Sequence, residues 1–282
     1  MSINEIISET AIAVASLRAL SNYEHEWTFR CNDDYAPIFL PDEKRIPLQD
    51  EQVRVAIKKA IPKGMYEYVI SRTKYFDRVF IQAVKRRVGQ VVFLGAGFDS
   101  RPYRFNDLLK NTKIFEVDTL ATQEYKKALL AEKGVSFKNI EYICHNFEDG
   151  NLFDLLEKHG YKSDVKTLFL WEGVTFYLTR EAVLNMLAEV RNHSSCRSRI
   201  CFDFQTMKNP EELIQTGLKE ESIKFGIEKG KVEAFVTSNE FRIIEHLDAK
   251  AIEQQFMRTE TGDLFGNIAP IMNFILLEHF VL

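Results

Sequence analysis

The stretch Val91-Val92-Phe93-Leu94-Gly95-Ala96-Gly97-Phe98-Asp99-Ser100-Arg101 constrains this chain more than any other. Four apolar residues run directly into Gly-x-Gly, and a helical pattern follows. That is a buried strand ending in a turn so tight that backbone amides must face whatever binds there. In open α/β sheets such a turn, at the carboxyl end of a central strand, is where nucleotide-like ligands bind. A dinucleotide fingerprint wants a third glycine, and position 100 holds Ser100. The loop therefore suits a nucleoside-type ligand better than a pyrophosphate lying on a helix start.

The rest of the chain fits that placement. Residues 1–90 are helical in pattern, with a polar break at 32–43 that contains Pro37 and Pro41. From Val91 onward strand and helix patterns alternate, which implies parallel pairing with right-handed crossovers. Strands are expected at 91–94, 113–118, 140–146, 167–171, 198–205, 241–247 and 273–282, with helices at 121–133, 151–159 and 180–193 among those between them. The last two strands follow each other, so they can pair and make the final edge antiparallel. The expected organisation is one α/β domain over 1–282. Residues 1–90 form a helical cap on the ligand edge, and residues 91–282 form the core.

Composition excludes several classes. The net charge of −4 leaves no electrostatic footprint for nucleic acid. The cluster Lys85-Arg86-Arg87 suits the C-terminus of a helix. No apolar run nears the roughly 20 residues that span a bilayer. The start of the chain carries Glu5 and Glu9 and lacks the basic opening of a secretory signal, so a cytoplasmic protein is expected. Cys31, Cys144, Cys196 and Cys201 form no zinc spacing and read as reduced thiols. No metal site is expected, and the oligomeric state is not legible.

Several residues at the expected strand tips are candidates for ligand contact. Asp118 ends the second strand, where a carboxylate accepts from both ribose hydroxyls; the alternative is a cap on the next helix, a place Thr119 can fill equally well. Glu116 shares its strand face and is a weaker candidate. Asn146 and Phe147 end the third strand and offer an amide acceptor and a flat apolar wall for adenine, or a turn and a core ring. Glu172, after Leu170-Trp171, sits at a sheet end where a buried carboxylate needs a cationic partner, unless it points to solvent. Thr179 reads as a helix N-cap. Arg72, among aromatic residues on a helix, can grip a carboxylate bidentately, or pair at the surface with Glu67 or Asp77.

Together these segments resemble the leucine carboxyl methyltransferase family and its bacterial O-methyltransferase relatives. The likeness rests on Ser8-Glu9-Thr10-Ala11, Arg72-Thr73-Lys74-Tyr75-Phe76-Asp77, Gly95 through Arg104, Glu116-Val117-Asp118, Trp171 through Thr179, and Phe225-Gly226-Ile227. It implies a Rossmann-like class I methyltransferase sheet of seven strands, mostly parallel with the last antiparallel, and S-adenosyl-L-methionine as cofactor. It further implies that Arg72 holds the methionine carboxylate, Gly95 and Gly97 line the methionyl part, and Asp118 takes the ribose. Asn146 and Phe147 would flank the adenine, and Glu172 would bind near the methionine end. The family commonly has Asp-Leu where Asn146-Phe147 stands and Thr where Ser100 stands. An amide still accepts from the adenine amino group, so weaker or altered binding is expected rather than none.

A sulfonium methyl group needs little activation, and orientation alone supplies ~7–11 kcal/mol of barrier lowering. A carboxylate acceptor is already ionised and needs no base, whereas a phenol needs one, and no His falls within these motifs. The expected reaction is O-methylation of a small, polyketide-like molecule, with Tyr177 orienting the acceptor through its hydroxyl or simply packed in the core. The alternatives are a methyltransferase for a protein C-terminal carboxylate, a protein that binds the cofactor without transferring methyl, and a nicotinamide-dependent oxidoreductase. The segment 209–231 reads as part of an acceptor pocket or lid.

Overall fold

A computed structural model describes residues 7–135, 139–147, 150–208 and 223–279. Eight strands are present among them: β1 (Gln90–Leu94), β2 (Lys113–Asp118), β3 (Ile140–Cys144), β4 (Thr167–Trp171), β5 (Arg199–Met207), β6 (Ile227–Glu228), β7 (Phe241–Asp248) and β8 (Met272–His279). The sheet order is β3-β2-β1-β4-β5-β8-β7, with the two-residue β6 added beside the end of β5. β1 to β5 pair in parallel. β8 is antiparallel to both of its neighbours, β5 and β7. The last two strands do pair, as expected, but the antiparallel one lies one position inside the edge. The edge itself is β7, which runs with the parallel set.

The central strands β1 and β4 are almost continuously apolar because both faces of the sheet are covered there. Val91, Phe93, Leu168, Leu170, Cys201, Phe274 and Leu276 join one core, together with the N-terminal helices. Their alternates Val92, Leu94, Phe169, Trp171, Phe202, Ile275 and Leu277 join the second core with the helices Leu152–Lys158 and Arg180–Asn192. Period-two alternation thus divides each strand between two cores. Each fully buried Phe or Leu contributes ~1.5–3 kcal/mol.

The N-terminal part is helical around the same break that the sequence indicates. The helix Glu9–Ser21 starts at Ser8, whose side chain accepts from the Ala11 amide, and Met65–Lys85 is the long helix that carries Arg72. Between them a short turn at Trp27–Phe29 precedes the polar break and another at Ala36–Phe39 lies within it. The Lys85–Arg87 cluster stands at the C-terminus of the long helix, as read. Thr179 does cap Arg180–Asn192, accepting from Ala182 N at 3.2 Å. Residues 209–222 of the suspected acceptor segment, and 280–282 of the last expected strand, lie outside the described residues.

The order of strands reverses at β1, which has β2 and β3 on one side and β4 and β5 on the other. A crevice at the carboxyl ends of β1 and β4 follows from that reversal. The Gly95–Gly97 turn and Glu172 stand there.

Candidate functional site

The turn after β1 is held by its neighbour. Gly95 N and Ala96 N both donate to Val117 O, at 2.9 and 3.0 Å. Gly97 N donates to Asp118 Oδ2 at 2.6 Å, and Thr119 N donates to Asp118 Oδ1 at 2.7 Å. The sequence-predicted pair Gly97 and Asp118 is therefore in contact. Asp118 does not cap the following helix, since Thr119 holds that position. Oδ1 also accepts from Thr119 Oγ1 at 3.3 Å, so the spare acceptor capacity lies on Oδ2. Burial raises the Asp118 carboxyl above its ordinary range, against the pull of the Gly97 and Thr119 amides.

Gly95 has φ +75°, and a Cβ on it would lie 2.4 Å from Val174 Cγ2. Only a glycine fits where the β1 turn meets the loop after β4. His145 N, just past β3, donates to Asp118 O at 3.1 Å, which fixes the third strand tip beside the second. Asn146 and Phe147 follow it, both half-buried, and the Phe147 ring packs edge-on to His145.

Arg72 pairs with neither Glu67 nor Asp77. Its Nε donates to Glu172 Oε1 at 3.0 Å, and its Nη1 donates to Asp203 Oδ2 at 3.1 Å. Burial opposes the guanidinium charge, but Asp203 and Glu172 outweigh it and hold Arg72 firmly protonated. Glu172 does not point to solvent. Its Oε2 lies 2.8 Å from Arg101 Nη1, so both carboxylate oxygens of Glu172 face guanidiniums at the strand tips.

Local pattern singles out neither Asp203 nor Arg101 as a site residue, and both are central. Asp203 is fully buried on β5. It accepts from Tyr68 Oη at 2.5 Å, from Arg72 Nη1, and from Gly173 N at 2.7 Å. Burial raises its carboxyl, with Arg72 pulling the other way. The signal that could have found it is a lone carboxylate inside the apolar run Ile200-Cys201-Phe202-Asp203-Phe204. Arg101, fully buried, pairs with Asp99, with Asp77 at 2.8 Å, and with Glu172. Arg104 holds Asp77 at 2.7 Å.

The N-terminal segment closes over this network. Arg18 Nη2 donates to Phe98 O at 2.5 Å, and Arg18 Nε lies 3.3 Å from Asp33 Oδ2. Asp33 accepts from Ser100 Oγ at 2.7 Å and lies 3.6 Å from Arg104 Nε. Ser100 thus serves the turn and the cap. Among the ion pairs of the described residues, four guanidiniums (Arg18, Arg72, Arg101, Arg104) face five carboxylates (Asp33, Asp77, Asp99, Glu172, Asp203). The Lys74 ammonium adds a further positive charge near Asp77.

Glu116 is engaged elsewhere. It is buried, and it accepts from Lys126 Nζ at 2.8 Å and from Tyr103 Oη at 3.2 Å. Tyr177 closes the turn Thr175–Tyr177 after β4, half-buried against the N-terminal core. Lys224 N and Phe225 N both donate to Phe176 O, so the chain after residue 222 returns to this turn. Among the described residues no cluster of His, Cys, Asp or Glu is arranged to hold a metal ion, and no helix is long and apolar enough to cross a membrane.

The sequence model of the leucine carboxyl methyltransferase family matches residues 11–191, well over half of the chain. A Streptomyces avermitilis protein is 31% identical over 197 residues, covering 68% of this chain and 66% of its own length. A Bacillus subtilis protein is 26% identical over 206 residues, covering 69% and 67%. Both are provisionally named S-adenosyl-L-methionine-dependent methyltransferases. The matched stretches thus span about two thirds of those relatives. A solved structure from Thermobifida fusca, provisionally described as a methyltransferase, aligns over 95% of this chain and 94% of its own with TM-score 0.57 at 14% identity. That likeness establishes the fold.

Proposed function

Because the chain belongs to the leucine carboxyl methyltransferase family, we propose that it is an S-adenosylmethionine-dependent methyltransferase that methylates an oxygen, a carboxylate in particular, of a small-molecule acceptor. The observation that carries this reading is the meeting of the Gly95–Gly97 turn, Asp118 and the Arg72–Glu172 pair at the strand tips beside the reversal of strand order.

The residues present fit that cofactor. Glu172 and Asp203 stand together at the strand tips with Arg72 between them, two carboxylates to one shared guanidinium. A methionine end that carries a sulfonium, an ammonium and a carboxylate is net positive and suits that carboxylate-rich end. Glu172 would receive the ammonium and Arg72 the carboxylate. Asp118 would receive the ribose hydroxyls, one on the spare lone pair of Oδ2 and one on Oδ1 in place of the Thr119 hydroxyl, each charge-assisted bond contributing ~1.5–3 kcal/mol. Asn146 and Phe147 would flank the adenine, and Gly95 and Gly97 would let the backbone approach closely. Bound there, S-adenosylmethionine supplies an electrophilic methyl group.

The chain's own work is then positional. The fixed turn, the paired Arg72 and Glu172, and the N-terminal cap hold one end of the site rigid, so the reacting oxygen has only to be placed. Tyr177, on the turn next to Glu172, orients the acceptor through its hydroxyl. An ionised carboxylate asks for no base, which suits a site built around arginines and their partners.

The test is label transfer. Purified protein is incubated with S-adenosylmethionine carrying a tritiated methyl group and with a small-molecule extract or a whole-cell extract. Label in the small-molecule fraction, released by mild alkali as volatile methanol, is expected, because a methyl ester hydrolyses and an ether or an N-methyl group does not. Label confined to protein, or stable to alkali, refutes the small-molecule carboxylate. Absence of any transfer refutes the methyltransferase reading itself.

A further inference from the structure

Asp203 belongs to no motif of the strand tips, yet it ties together three of the pieces that make the methionine end. From β5 it receives Arg72 Nη1 at 3.1 Å, Tyr68 Oη at 2.5 Å and Gly173 N at 2.7 Å. Its backbone oxygen also accepts from Thr175 Oγ1, on the same loop as Glu172. The loop carrying Glu172 and the helix carrying Arg72 are therefore both pinned to one carboxylate that is itself fully buried.

The charge count gives this position a further consequence. Arg72 is shared between Glu172 and Asp203, and Arg101 between Glu172, Asp99 and Asp77. Without the Asp203 carboxylate, Arg72 would turn wholly to Glu172, whose other oxygen already faces Arg101, and this end of the site would carry one negative charge fewer.

We propose that Asp203 is a positioning residue that sets the charge of the methyl-donor subsite. By taking half of Arg72 it keeps one more negative charge at that end of the site, which favours a sulfonium-bearing ligand over the uncharged thioether that remains after transfer. This rests on the reading of the site as an S-adenosylmethionine site. Asp203 touches neither ligand; it acts through Arg72, Gly173 and Glu172.

Calorimetric titration of the full chain with S-adenosylmethionine and, separately, S-adenosylhomocysteine tests it. The quantity read is the ratio of the two dissociation constants, whatever its wild-type value. Asp203→Asn keeps an oxygen for Gly173 N, removes the charge, and puts an amide NH2 in place of the oxygen that Arg72 and Tyr68 share. It is expected to shift the ratio on the order of tenfold against S-adenosylmethionine, the size of a unit-charge effect at a partly buried site. A residue that merely held the loop in shape would weaken both ligands by the same factor. Equal weakening, an unchanged ratio or a ratio moved the other way therefore overturns the proposal. Where Asp203→Asn yields no folded protein, Tyr68→Phe decides. It removes one donor and leaves more of the Asp203 charge to Arg72, so the ratio should move in favour of S-adenosylmethionine; an unchanged ratio or a move against it overturns the proposal. Wild-type protein that binds neither compound refutes the cofactor reading instead.

Discussion

Gly95→Ala should be destabilising in two separable parts. The first is conformational: Gly95 sits at φ +75°, where an L-residue costs roughly 1–2 kcal/mol. The second is steric. The new methyl group would lie 2.4 Å from Val174 Cγ2, about 1 Å inside the 3.4 Å at which ordinary contact begins. Overpacking of that kind costs ~1–3 kcal/mol. The sum is ~2–5 kcal/mol from those two ranges. Val174→Ala removes the offending methyl and leaves Val174 Cβ, which is 3.5 Å from the added atom. In that background Gly95→Ala should cost only the conformational part. A double-mutant cycle by urea denaturation should show a coupling of ~1–3 kcal/mol, with the double variant more stable than additivity allows. Because Val174 is two residues past Glu172, the single variant should also weaken S-adenosylmethionine binding, and Val174→Ala should restore part of it. Costs that add with no coupling would show that the β1 turn does not press on the β4 loop, and would refute the reasoning.

Two further expectations follow from buried charge. Burial raises the Asp118 carboxyl above the ordinary 3.8. On its own this group favours folding below that value and withdraws the contribution as pH rises through the raised one, whereas ribose hydroxyls need the ionised form. S-adenosylmethionine affinity should therefore fall as pH drops through a midpoint above 3.8, and Asp118→Asn should bind ~10–100-fold more weakly with that dependence gone; calorimetry across pH checks both, and an unchanged profile refutes the assignment. Lys126→Met leaves Glu116 buried with its charge unpaired and should cost ~3–5 kcal/mol, while the double variant Glu116→Leu with Lys126→Met should recover most of that loss; urea melts in which the double variant is no more stable than the single would contradict it.

What the sequence discloses and what it hides divide along chain separation. β2 and β4 lie where the pattern places them, and the Gly-x-Gly turn is legible because tight turns and apolar alternation are local properties. Asp118 is legible for the same reason, being the last residue of a short, well-marked strand. The arginines are not. Arg72 meets Glu172 and Asp203 across 100 and 131 residues, and nothing near Arg72 distinguishes those partners from Glu67 or Asp77. Asp99, Arg101 and Arg104 sit inside the most recognisable stretch of the chain, yet they hold the turn to the helix behind it and to the N-terminal cap. The two-residue β6 has too few residues to show any period. The seat of β8 depends on which neighbour a strand selects, which alternation along that strand does not encode.

That seat has a consequence for how the protein is made. β8 is the last strand of the described chain, but it occupies an interior place between β5 and β7. During translation β1 to β5 emerge first, and the outer flank of β5 stays bare until β7 has passed and β8 has followed. An apolar, unpaired flank is where nascent chains associate with one another. Shortening the C-terminal side into β8 would therefore not trim a margin; it would part the sheet between β5 and β7 and leave two flanks open.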